Sequence, residues 1–135
     1  MDNPKDTSPS PAPPPEPVGG VMHIFAAARY SIGGLGVLAR ETAFKLEIVC
    51  AAILYALFAL AGASSTQYLV LTILALVVLS AEALNTAIEL IVDEISPHKS
   101  EFAKKTKDLG SFAVACLQIA TGLYAAYVLG GAWMG

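Results

Sequence analysis

Four polar residues, Glu82, Asn85, Glu89 and Asp93, follow the uncharged run YLVLTILALVVLS at intervals of three or four positions. At 100° per residue, Asn85, Glu89 and Asp93 lie at about −60°, −20° and +20° from Glu82, so one helix face carries all four. Glu82 is then about 10 Å along the axis from Glu89 and deeper in the apolar run. A carboxylate at membrane depth costs on the order of 3 kcal/mol on insertion scales, and such a residue marks a functional position by default. At the boundary between lipid and cytoplasm it suits taking the proton of a hydroxyl group carried by a lipid. Asn85 alone would serve equally well to hydrogen-bond one helix to another. Asp93, nearest the mouth, would serve equally well to pair with a lysine.

A second acidic group stands in ETAFKLE, residues 41–47, ahead of the first long apolar run. Glu41 and Lys45 have the i,i+4 spacing of a pair that stabilises a solvated helix face. The segment also lies at the same cytoplasmic level as Glu89, so Glu41 and Glu89 can share a divalent cation, and Mg²⁺ favours carboxylate ligands. The third group is the stretch SPHKSEFAKKTKDLGS. Its Lys104, Lys105 and Lys107 suit a polyanion, or the anionic headgroups that cationic membrane loops attract. A buried base, a Mg²⁺ site and a cluster of cations are the parts of a phosphoryl-transfer centre.

The elements that must position these groups are membrane helices. Of 135 residues, 56% are hydrophobic, with a mean hydropathy of +0.63. Residues 46–95 contain no Lys or Arg, and residues 109–135 carry no charged side chain. Uncharged stretches of this length read as transmembrane segments. The fold class is therefore all-α and integral to a membrane, with spans at about 46–63, 68–95 and 109–130. Pro97 stops the second. Gln118, inside the third, is expected to face a neighbouring helix, because an amide pointing into lipid lacks partners.

Residues 21–40, VMHIFAAARYSIGGLGVLAR, place Ile24, Ala28, Leu35 and Leu38 near helical spacing and set Arg29, Ser31 and Arg40 apart, as in an amphipathic helix lying at the membrane surface. Their glycines fit no phosphate-loop pattern. Seven of the eight prolines fall within residues 4–17, so residues 1–20 are expected to be a disordered Pro-rich tail, and residues 21–135 the membrane domain. No cleavable leader is expected in a start this acidic and proline-rich. Cys50 and Cys116 are expected to be reduced, packed hydrophobes. All eight Lys and Arg fall on one side of a three-span topology. The positive-inside rule then places the N-terminus and the 96–108 loop in the cytoplasm. Nucleic acid is not among the expected partners, and no internal repeat suggests a transporter of duplicated halves.

With these residues in view, the chain resembles the small prokaryotic diacylglycerol kinases, integral-membrane enzymes unrelated to soluble kinases. The resemblance rests on ARYS at 28–31, ETAFKLE at 41–47, EALNTAIELIVDEI at 82–95 and KDLGS at 107–111, and covers about residues 21–130. It implies ATP- and Mg²⁺-dependent phosphorylation of diacylglycerol to phosphatidic acid in phospholipid recycling. The setting implied is the bacterial inner membrane, in a homotrimer with active sites shared between subunits. Carried over by position, it implies Glu82 as general base and Glu41 and Glu89 as metal ligands. Tyr30, Glu41, Glu89, His98, Lys107 and Asp108 would contact the nucleotide, and Glu47, Glu82, Asn85 and Ser111 the lipid or the transferred phosphate. The chain departs from the family at His23, where a basic residue is frequent, and in GGLGVLAR, which is one residue shorter ahead of Glu41. Undecaprenol kinases share the same catalytic parts, so that acceptor stays an alternative. A nonenzymatic small membrane subunit has no use for Lys107–Asp108 or for Glu41.

Overall fold

The computed structural model describes residues 20–98 and 100–134, so the expected tail at 1–20 lies outside the described residues except for Gly20. The described residues are all helix and connection, without a strand. Helix α1 spans Val21–Leu38, α2 Thr42–Leu60, α3 Ser65–Ile95 and α4 Glu101–Met134. Three of these are long and apolar enough to cross a membrane: α2, α3 and the Glu101–Ala132 part of α4. At 1.5 Å per residue the 19-residue α2 is about 28 Å long, one hydrocarbon thickness. The 31-residue α3 reaches about 46 Å, so several turns project beyond the hydrocarbon.

Local chemistry explains where the helices begin and end. Gly62 takes φ +67°, the left-handed region that glycine enters without strain, and reverses the chain after α2. Ser64 then caps α3: its hydroxyl accepts from the Gln67 N–H, and the Gln67 side-chain oxygen accepts from the Ser64 N–H at 2.7 Å. Ser96 and Pro97 follow the last residue of α3. Helix α4 starts at Glu101, ahead of the expected start of the third span near Leu109. Lys104, Lys105 and Lys107 are therefore helical residues rather than parts of a loop.

Helices α3 and α4 form the most extensive pairing, and α2 rests on both less closely. Phe58, Leu71, Ala125 and Val128 make a buried cluster at the hairpin end, with Tyr55, Tyr68 and Tyr124 packed around it. The Tyr55 and Tyr68 rings stack at 5.8 Å, and the Phe58 ring meets Tyr68 edge-on at 5.9 Å. The hydroxyls find partners there, as buried phenols must: Tyr55 bonds the Thr72 hydroxyl, and Tyr124 donates to the Gln67 carbonyl at 3.0 Å. The α2–α3–α4 unit is thus clasped at its hairpin end. Elsewhere most large apolar side chains face outward, as they do where lipid or another chain is the solvent. Both cysteines are free and exposed, not packed as expected.

Candidate active site

The most buried polar residues are those of the α3 face. Glu82, Asn85 and Thr86 are the buried polar residues among those described, with Glu82 6% exposed. Glu89 is half-buried one turn nearer the mouth, and Asp93 is exposed. The Asn85 side-chain N–H donates to Glu89 Oε1 at 2.9 Å, which fixes both groups on the shared face. Asn85 Oδ1 is buried and has no partner among the described residues. Its neighbour is Gly110 of α4, where an added Cβ would overlap that oxygen. The α4 backbone therefore presses against the stripe at the one residue that has no side chain to obstruct it. Gly110 lies inside KDLGS and was not among the expected site residues.

Helix α2 brings two more carboxylates. Glu41 is its extended N-cap residue and is exposed. The spacing that suggested a Glu41–Lys45 pair is not used: Lys45 turns back to the Arg40 carbonyl at 3.0 Å. Glu47, about 9 Å further along the helix, is half-buried and accepts from the Gln118 side-chain N–H of α4 at 2.9 Å. Its other oxygen, Oε2, is buried without a partner among the described residues. Gln118 thus faces a neighbouring helix. The carboxylates whose charges bear on Glu82 are Glu47, Glu89 and Glu41, in that order.

At the mouth, every described lysine of early α4 has an acidic partner. Lys107 reaches Asp93 Oδ1 at 2.6 Å, Lys105 reaches Glu101 at 3.0 Å, and Lys104 pairs with Asp108. The expected nucleotide contacts Lys107 and Asp108 are both engaged, and Asp93 serves as the lysine partner. Exposed pairs contribute at most about 1 kcal/mol, so a polyphosphate can displace them. His98 is exposed in the short connection, and Ser111 is exposed on α4 next to Gly110. Tyr30 is exposed on α1, with the Arg29 guanidinium 5.7 Å from its ring centre. Among the described residues no three His, Cys, Asp or Glu side chains converge as a self-sufficient metal cage.

The Gly110–Asn85 contact generates a coupling that denaturation can measure. Gly110→Ala should lower the unfolding midpoint in detergent, by overpacking of about 1–3 kcal/mol. Adding Asn85→Ala removes the oxygen that the new methyl would strike, so the double variant should be more stable than the sum of the two single changes. Additive effects would show that the two residues do not meet.

The family model described as prokaryotic diacylglycerol kinase matches residues 29–129. Three curated relatives carry the name diacylglycerol kinase. One from Sinorhizobium is 49% identical over 116 residues, covering 86% of this chain and 85% of its own. One from Haemophilus influenzae is 33% identical, covering 70% and 81%. One from Pseudomonas aeruginosa is 31% identical, covering 82% and 92%. A match over most of the membrane domain, taking in the acidic face of α3, the ETAFKLE segment and KDLGS, establishes descent: this chain belongs to the prokaryotic diacylglycerol kinase family.

Proposed function

We propose that the chain, a kinase for diacylglycerol by its family, transfers the γ-phosphoryl group of ATP to the lipid's free hydroxyl at the cytoplasmic face of the bacterial inner membrane. The observation that carries this reading is the placement of Glu82. It is a buried carboxylate inside an apolar span, with cations and further carboxylates between it and the mouth. A lipid hydroxyl arrives from the bilayer side and a nucleotide from the aqueous side, and the stripe lies between them.

Glu82 takes the hydroxyl proton as the lipid oxygen attacks the γ-phosphorus. A new P–O bond to the glycerol forms while the bond to the β-phosphate oxygen breaks, leaving ADP and phosphatidic acid. Lys107 exchanges Asp93 for the phosphates and offsets their charge. Asp108 and His98 complete the nucleotide contacts, and Ser111 and Glu47 line the lipid access. The residues present fit Mg²⁺. That ion takes one or two protein carboxylates and completes its shell with phosphate and water. Asn85 ties down one oxygen of Glu89 and leaves the other free. Glu41 and Glu89 would hold the ion, which neutralises charge on the β- and γ-phosphates when bound. We further propose a homotrimer in which neighbouring subunits share each site.

The direct test is ATP-dependent phosphorylation with diacylglycerol, undecaprenol and no lipid side by side. Diacylglycerol should be the preferred acceptor, and phosphorylation of the polyprenol alone overturns the reading. Glu82→Gln keeps the size and hydrogen bonding of the side chain but accepts no proton. It should assemble normally and lose about 10²–10⁴-fold in turnover. Glu41→Ala and Glu89→Ala should each raise the Mg²⁺ concentration required for activity, with Asp93→Ala much less affected. Unchanged Mg²⁺ titrations in both glutamate variants would remove the metal assignment. For the trimer, Glu82→Gln and Glu41→Ala chains, mixed and reassembled at a Mg²⁺ concentration at which neither alone is active, should recover part of the activity. Mixed assemblies as inactive as either parent would leave each subunit catalysing alone.

A further inference from the structure

Below the acidic stripe, a groove of about 440 Å³ opens among α2, α3 and α4, walled by apolar side chains such as Leu46, Leu54, Leu71 and Val78. Besides the hydroxyls of Tyr55 and Thr121, a carboxylate and an amide interrupt it, Glu47 from α2 and Gln118 from α4. Their hydrogen bond settles the orientation of the amide. A carboxylate oxygen can only accept, so the Gln118 group that meets Glu47 Oε1 must be its NH₂. That bond uses one N–H. Gln118 is exposed at the mouth of the groove, so its second N–H is open to an acceptor carried by whatever fills the groove.

The heights of these groups along the helices define what belongs there. Gly110 of α4 is level with Asn85 of α3, because a Cβ at Gly110 would overlap the Asn85 amide oxygen. Glu82 is three residues deeper than Asn85, or about 4.5 Å, and Gln118 is eight residues deeper than Gly110, or about 12 Å. Gln118 therefore stands about 7 Å further into the membrane than the base. In a diacylglycerol the ester carbonyls hang below the free hydroxyl by a few bonds, on the side of the acyl chains. A hydroxyl at Glu82 brings an ester oxygen, an acceptor without a hydrogen, toward the amide, with the acyl chain along the apolar wall.

We propose that Gln118 is a specificity-determining residue that donates its second N–H to an ester carbonyl of the diacylglycerol, with Glu47 as the positioning residue that orients the amide. The proposal rests on the reading of the chain as a diacylglycerol kinase with Glu82 at the hydroxyl. It explains why a carboxylate is maintained in the groove. Glu47 holds the amide nitrogen side, and not its carbonyl, at the place where an acceptor lies. A polyprenol has the hydroxyl and the apolar chain but no carbonyl, so Gln118 favours the glycerolipid.

The test compares a diacylglycerol with its diether analogue, which keeps the hydroxyl and both chains but lacks the carbonyl oxygens. The wild-type protein should favour the diester by about five- to tenfold in kcat/KM, the range of one neutral hydrogen bond. Gln118→Leu should bring that ratio close to one by losing more activity on the diester than on the diether, with the KM for ATP within about twofold of wild type. Gln118→Asn retains the amide one methylene back and should give an intermediate ratio. A helix-packing role for Gln118 would lower activity on both lipids alike and leave the ratio intact. Equal activity of the wild type on diester and diether, an unchanged ratio in Gln118→Leu, or a change of oligomeric state in that variant overturns the proposal. A wild-type protein that phosphorylates neither lipid strikes instead at the proposed function.

Discussion

Placing the Glu82 carboxylate inside an apolar helix costs on the order of 3 kcal/mol, and the neighbouring features answer to that cost. Helix α3 carries it as the central element, against which α4 packs most extensively and α2 less so. The stripe continues outward through Asn85 and Glu89, so a path of polar atoms leads from the buried carboxylate to water. Closing that path with side chains would strand the carboxylate, and widening it would admit bulk water to a site that must deliver phosphate to a lipid. The contact between Gly110 and Asn85 resolves the conflict, since α4 seals the flank of the stripe with backbone alone. Buried polar groups are tolerated where partners are at hand or arrive with a ligand. Asn85 Oδ1 and Glu47 Oε2 are the two that wait.

The fold was legible because bilayer physics leaves few options for an uncharged run of this length. The spans, the stop at Pro97 and the face shared by Glu82, Asn85 and Glu89 all follow from helical period and apolar length. Less legible were contacts that no short-range pattern encodes. Gln118 and Glu47 are 71 residues apart, and their meeting depends on the relative height of two antiparallel helices. Gly110 has no side chain to advertise its role. Lys104, Lys105 and Lys107 look like free cations only while the segment that carries them is a loop. Once α4 begins at Glu101, i,i+4 spacing pairs Lys104 with Asp108 and Lys105 with Glu101. The opposite error occurs at Glu41 and Lys45, where the spacing is right but Lys45 satisfies the Arg40 carbonyl at the start of α2. Periodicity identifies which partners are within reach, and competing backbone acceptors decide which is taken.

Helix α2 is held unevenly along its length. Phe58 is wholly enclosed by the aromatic clasp at the hairpin, whereas at the other end the tie named here is the single Glu47–Gln118 bond. Eleven residues separate Phe58 from Glu47, a lever arm of about 16 Å. A swing of roughly 5° about the clasp carries Glu47 through about 1.4 Å, enough to break a hydrogen bond of ordinary length. The helix thus acts as the arm of a balance whose fulcrum is on the far side of the bilayer. Small changes in how tightly the aromatic rings seat at the hairpin end are magnified at Glu47, one helix length away.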